Sequence, residues 1–124
     1  MRLESDLTEH CLAACEGRLA SETAIWSDQA TIGVVLASEH YPKFSPIGLP
    51  ITGLSTSRPS SKVFHASTRQ EGDETVTAGG RVLCVTAKAE TLATAAQRAY
   101  EAASDISWDG MKYRSDIGWR ALQR

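Results

Sequence analysis

A chain of 124 residues has room for one modest domain that buries about two-thirds of the surface its unfolded form exposes. Its 13 Lys and Arg against 15 Asp and Glu leave a net charge of −2 with no basic run, which argues against a nucleic-acid binder held by phosphate electrostatics. No apolar stretch approaches the roughly 20 residues of a membrane span, and Met1-Arg2-Leu3-Glu4-Ser5-Asp6 lacks an apolar signal core, so the sequence reads as cytoplasmic.

Cys11, Cys15 and Cys84 are odd in number and form no C-x-x-C pair, which argues for reduced thiols rather than a disulfide framework or a zinc site. Asp6 followed by Glu9 marks a helix start, Gly17 a stop, and Leu7, Cys11, Leu12, Ala14 and Cys15 recur at helical spacing between them. A helix is expected from about Asp6 to about Glu16. Cys11 and Cys15 stand one turn apart on its apolar stripe and are expected as small buried packing residues. From Arg18 to Gln29 the chain is polar around Ile25 and Trp26, an extended segment and then a connection.

Thr31-Ile32-Gly33-Val34-Val35-Leu36-Ala37-Ser38 is a short β-branched apolar run, hence a buried strand. Pro42, Pro46, Gly48 and Pro50 break the stretch from Glu39 to Gly53, yet Tyr41, Phe44, Ile47, Leu49 and Ile51 are too apolar for a disordered one. An ordered surface loop is expected there. Ser55 to Ser61, with Pro59, reads as a polar bend. Lys62 to Ser67, Glu74 to Thr77 and Arg81 to Ala87 then read as three strands of an antiparallel meander, joined by turns at Gln70-Glu71-Gly72-Asp73 and at Gly79-Gly80. In the last strand Val82, Cys84 and Thr86 alternate with Leu83, Val85 and Ala87; both sets are apolar, so the strand is expected to be covered on both faces. Thr91 caps a helix in which Leu92, Ala95, Ala96, Ala99, Tyr100, Ala103 and Ile106 form one stripe, an alanine face able to approach a sheet closely. Trp108-Asp109-Gly110 is a turn, and the aromatic and charged C-terminus is expected to dock on the body. The fold class is α+β: a small, mostly antiparallel sheet with one long packed helix.

No nucleophile–base–orienter motif is visible, and no catalytic residue is assigned. The diglycine turn offers two readings. It is either an ordinary β-turn, or a stretch whose glycines take positive φ and present N–H groups to an anion beside the Arg81 guanidinium. Arg69 and Arg81 flank this stretch and could together hold a phosphate or carboxylate, or could simply be solvated. His65 is either a hydrogen-bonded structural histidine or a group near the turn. Arg114 and Asp116 sit on the same side of an extended segment, as an ion pair or as ligand contacts.

The runs Val63-Phe64-His65-Ala66, Thr77-Ala78-Gly79-Gly80-Arg81-Val82-Leu83, Val85-Thr86-Ala87, Ala99-Tyr100-Glu101-Ala102 and Tyr113-Arg114-Ser115-Asp116-Ile117-Gly118-Trp119-Arg120-Ala121-Leu122, in that order and spacing, closely resemble the C-terminal domain of the phosphoribosylamine-glycine ligase family. The resemblance covers about Ala30 onward. Residues 1–29 resemble the last helix of the family's ATP-grasp domain and its connection, and 30–124 the C-terminal domain. It implies a fold like the rudimentary single-hybrid motifs that cap other ATP-grasp enzymes, biotin carboxylase among them. It implies an activity too, the joining of phosphoribosylamine and glycine with ATP and Mg²⁺ in purine synthesis. The residues that hold ATP and Mg²⁺ in the family have no counterpart here, so this chain is expected to bind no cofactor alone and to be inactive alone. By resemblance Arg69, Gly79, Gly80 and Arg81 hold the substrate phosphate of phosphoribosylamine or glycinamide ribonucleotide, with His65, Arg114 and Asp116 behind them. Four positions depart from the family pattern: Ser67 and Arg69, in Ser67-Thr68-Arg69 for Gly-Thr-Lys, Cys84 for Gly, and His40 for Gly before Tyr41-Pro42.

The expected partner is the ATP-grasp domain of the same enzyme; nucleic acid and membrane are not expected. A face that such a domain covers, including parts of Leu3, Leu7 and Leu12, would be exposed here and favour self-association. The alternative is a stand-alone, non-catalytic module that binds a phosphate metabolite or a partner chain.

Overall fold

The computed structural model describes residues 1–56 and 58–123. Asp6, in extended backbone, accepts a hydrogen bond from the Thr8 N–H at 2.7 Å and so starts α1 (Leu7–Cys15). Gly17, at φ +73°, supplies the left-handed residue that stops it. Leu3 bridges Trp26 antiparallel, and the Ser5 hydroxyl accepts from the Ile25 N–H at 3.1 Å. A 3-10 turn, Leu19–Ser21, interrupts the stretch expected to be extended. The packing expected of α1 is not seen: Ala13 is its buried residue, while Cys11, Cys15, Leu7 and Leu12 are exposed. The stripe is real, but nothing described in this chain covers it.

A three-stranded sheet holds β1 (Ala30–Ala37), β2 (Ser61–His65) and β5 (Arg81–Ala89) in the order β1-β5-β2, all antiparallel. β3 (Thr68–Glu71) and β4 (Glu74–Thr77) form a separate two-stranded sheet, a hairpin turned by Gly72 at φ +58°. The expected meander is therefore broken at the diglycine: β5 does not pair with β4. The reason is visible on the free edge of β4, which loop backbone already occupies. Gly48 N–H donates to Thr77 O at 2.7 Å, Ile51 N–H donates to Thr75 O at 2.9 Å, and Thr77 N–H donates to Leu49 O at 2.9 Å. Glu39 to Gly53 is thus an ordered loop, half of which acts as a strand edge. The polar bend at Ser55 to Ser61 is described except at Ser57, which lies outside the described residues.

α2 (Leu92–Ser104) begins at Thr91, whose hydroxyl accepts from the Thr94 N–H at 3.1 Å. It buries Ala95, Ala96, Ala99, Ala102 and Ala103 against Ile32, Val34 and Leu36 of β1 and Leu83, Val85 and Ala87 of β5. Alanines put the helix close to the strands, and Ile106, just past the helix end, still belongs to this core. Beyond it the chain returns to the sheet, where Lys112 N–H and C=O each bond Ala37 at 2.8 Å. The Tyr100 hydroxyl donates to the Arg114 carbonyl at 2.8 Å and accepts from the Ile117 N–H at 3.0 Å. A last turn of helix, α3 (Trp119–Leu122), follows Gly118 at φ +80°. The C-terminus is docked as its composition predicts, and the architecture is the expected α+β one.

Coverage is one-sided. Register places Gly33, Val35 and Ala37 of β1, Cys84 and Thr86 of β5, and Lys62 and Phe64 of β2 on the face away from α2. There Val35 is 41% exposed and Phe64 40%. Two-sided cover of β5 is thus not found in this chain, and the apolar side chains that led to that expectation form an open face.

Candidate functional site

Strand alternation alone would bury Arg81 and expose Val82, because Leu83 points into the core. A β-bulge reverses this. Val35 pairs with Cys84 and Leu36 with Leu83, but Ala37 pairs with Arg81, so Arg81 and Val82 together oppose one residue. Val82 and Leu83 are both fully buried, and Arg81 emerges on the open face beside Val35 and Ala37. An extra residue that re-aims a side chain in this way is a common device next to binding sites.

Around Arg81 the open face is hollowed into two joined clefts of about 430 and 470 Å³ that share Val35, Tyr41 and Arg81. The first is closed by Ser38, Glu39, Lys112, Tyr113, Arg114 and Ile117, and the second by Ala66, Ser67, Gly80 and Cys84. The floor is apolar and the rim cationic. Lys112 Nζ lies 3.7 Å from Glu39, and Arg114 forms a two-pronged pair with Asp116 at 2.8 and 2.6 Å. That hydrogen-bonded pairing raises Arg114 and lowers Asp116 from their ordinary values. Arg81 differs from both. Among the described residues no carboxylate comes within 4.0 Å of its guanidinium, whose neighbour is the Tyr41 ring, centroid at 5.8 Å.

The diglycine segment crosses from β4 to β5 between the two sheets. Neither glycine has positive φ, so the expected conformational role is corrected. What the glycines permit is close approach. A Cβ on Gly80 would lie 2.4 Å from Tyr41 Cδ2, and one on Gly79 would lie 2.9 Å from Ser67 Cβ. Their carbonyls are held by Ser38, whose hydroxyl donates to Gly79 O at 3.0 Å and whose N–H donates to Gly80 O at 2.9 Å. Their N–H groups meet no acceptor among the described residues. Two backbone donors, a guanidinium without a counter-ion and a hydroxyl at Ser67 can satisfy a tetrahedral oxyanion.

The remaining sequence-derived candidates are placed unequally. Arg114 and Asp116 reach the rim, paired to each other. Arg69 does not line either cleft; its guanidinium is bonded to Glu71, with Nε to Oε1 at 2.9 Å. His65 lines a separate hollow on the α2 side with Arg58, Lys62 and Ile106, and its Nδ1 lies 2.9 Å from the Thr68 hydroxyl. Cys84 forms part of the cleft wall, and burial pushes its thiol above its ordinary value. Tyr41, Ser38 and Lys112 were missed as site residues. Tyr41-Pro42 stands out in the sequence, but its neighbourhood with Gly80 depends on a fold-back that no local pattern encodes. Among the described residues no cluster of three His, Cys, Asp or Glu could hold a metal ion, and no helix is long and apolar enough to cross a membrane.

The architecture defines a small α+β domain, one helical layer on an antiparallel sheet with a groove on the uncovered face. The chain belongs to the family described as phosphoribosylglycinamide synthetase, C domain, whose model matches residues 31–120. It is 50% identical, over 126 residues, to the phosphoribosylamine–glycine ligase of Escherichia coli O6:H1, covering 100% of this chain and 29% of that protein. The Vibrio cholerae ligase is 50% identical over 125 residues, with the same shares covered. A crystal structure of the phosphoribosylamine–glycine ligase from Thermotoga maritima matches with a TM-score of 0.61 and 34% identity, covering 69% of this chain and 21% of that one. The chain thus spans 29% of the length of the curated relatives it matches.

Proposed function

We propose that this chain works as the C-terminal part of a cytoplasmic phosphoribosylamine–glycine ligase, in which it holds the substrate's 5-phosphate while glycine is activated elsewhere in the enzyme. Residues 30–124 are the C-terminal domain in this reading, and residues 1–29 are the last helix and connection of the ATP-grasp domain. The exposed stripe of Leu7, Cys11, Leu12 and Cys15 supports that division, since a helix with an unburied apolar face belongs to a larger core. In this reading ATP and Mg²⁺ fall to the rest of the enzyme, since the residues that hold them in the family have no counterpart in this sequence.

The observation that carries the reading is Arg81: a guanidinium delivered to the open face by a bulge, with no carboxylate partner among the described residues, next to the N–H groups of Gly79 and Gly80, which meet no acceptor among those residues either. The phosphate of phosphoribosylamine or glycinamide ribonucleotide supplies the missing acceptors. Its anchoring orients the amine toward the activated carboxyl of glycine and removes rotational freedom from the encounter. Arg69 joins the site by exchanging Glu71 for phosphate, and Arg114 and Asp116 support it from the rim, while His65, in the hollow on the α2 side, takes no part. In the complete ligase carrying this chain, Arg81→Ala is expected to raise the half-saturating phosphoribosylamine concentration about ten- to a hundredfold, the size of a lost hydrogen bond to a charged group. Half-saturation by ATP should stay within about twofold, because Arg81 serves the other substrate. Equal shifts for both substrates would overturn the assignment.

A further inference from the structure

A guanidinium with no counter-ion is free to wander over its rotamers, and an anion site built on it loses affinity to the cost of ordering it. Here the ordering is supplied in advance by an aromatic ring. Tyr41 leaves β1 through a turn in which its N–H donates to Ser38 O at 3.1 Å, and Ser38 is itself bonded to both diglycine carbonyls. The turn is thereby fastened to the segment that precedes Arg81. On one edge the Tyr41 ring lies so near Gly80 that a Cβ there would sit 2.4 Å from Cδ2. Over its face lies the Arg81 guanidinium, 5.8 Å from the centroid, within the range of a cation–π contact. The ring lines both clefts, so it stands at their junction, where Arg81 points.

We infer that Tyr41 is a positioning residue for Arg81: its ring holds the guanidinium over its face and aimed into the groove, and Gly80 is glycine to leave room for that ring. The inference deepens the reading of Arg81 as the phosphate holder and rests on it. The ring does the work, and the hydroxyl is dispensable.

The test has a spectroscopic and a kinetic arm. In ¹⁵N NMR of the 124-residue chain, the Arg81 Nε–Hε signal should carry an upfield ring-current displacement that survives in Tyr41→Phe and vanishes in Tyr41→Leu. No displacement in the unmodified chain overturns the inference, and this outcome does not depend on whether the leucine variant folds. In the complete ligase, Tyr41→Leu should raise the half-saturating phosphoribosylamine concentration about three- to tenfold with kcat nearly unchanged, and Tyr41→Phe should shift it by less than about twofold. In an Arg81→Ala background the leucine substitution should add nothing further. If Arg81→Ala weakens phosphoribosylamine saturation but Tyr41→Leu does not, the positioning role is wrong and the phosphate reading stands. If Arg81→Ala has no effect, the phosphate reading itself fails.

Discussion

The two faces of the three-stranded sheet use the same kinds of residue to opposite ends. Toward α2, Leu36, Leu83, Val85 and Ala87 are fully buried under an alanine helix. On the other side Val35, Phe64 and Cys84, equally apolar, lie open or half open, Val35 and Cys84 in the cleft with Arg81 and Tyr41. The first face converts sequence into stability; the second leaves apolar surface and a cation exposed. Apolar strand residues therefore do not by themselves report a filled core, and the bulge at Arg81 marks where the two uses part.

The largest effect should come from damaging the covered face. Leu83→Ala removes a fully buried side chain from the centre of the core and is expected to cost about 2–5 kcal/mol, read as a lowered urea midpoint. On the open face, Phe64→Ser should cost no more than about 1 kcal/mol, the span of strand propensity at an exposed position. Its main consequence lies elsewhere. The exposed face and α1 stripe should drive self-association of the chain, and the serine variant should shift sedimentation toward the monomer. A chain that is strictly monomeric at high concentration before any substitution would break the comparison, because the open face would then not be adhesive.

The smallest effect is electrostatic and sits at the margin of the covered face. The hydrogen bond from Arg58 holds the Asp105 carboxyl below its ordinary 3.8, and Arg114 does the same for Asp116. A depressed folded-state value means stability present above the unfolded value and lost as pH falls through the folded one. Unfolding midpoints should therefore decline below about pH 4, and Asp105→Asn should flatten that decline. Both pairs reach solvent, so 1 M salt should mute the effect.

Much of this was legible in the sequence because it is local. The Asp6 and Thr91 caps, the glycine stop at Gly17 and the alanine stripe of α2 are written in spacings of a few residues, and each stands where expected. The family resemblance likewise carried the assignment to the C-terminal domain. What was not legible is what depends on distant partners. Nothing in Glu74 to Thr77 tells that Gly48 to Ile51 will take its edge and send β5 to the middle of another sheet. The alternation from Val82 to Ala87 was read straight through a bulge that only the pairing with Ala37 reveals, which put Val82 on the wrong face. Cys11 and Cys15 were expected to be buried because an apolar stripe implies a partner, and that partner is not among the described residues. The candidate site follows the same division: Gly79, Gly80 and Arg81 are contiguous and stand out in the sequence, whereas Tyr41 reaches them across a gap that no motif spans.

Tyr100 sits on α2, yet its phenol grips the backbone at Arg114 and Ile117, residues that form the wall of the groove. The helix and the groove wall are therefore fastened together through one phenol. A change in the seat of α2 on the sheet would reach the backbone that walls the cleft above Arg81 through that single hydroxyl.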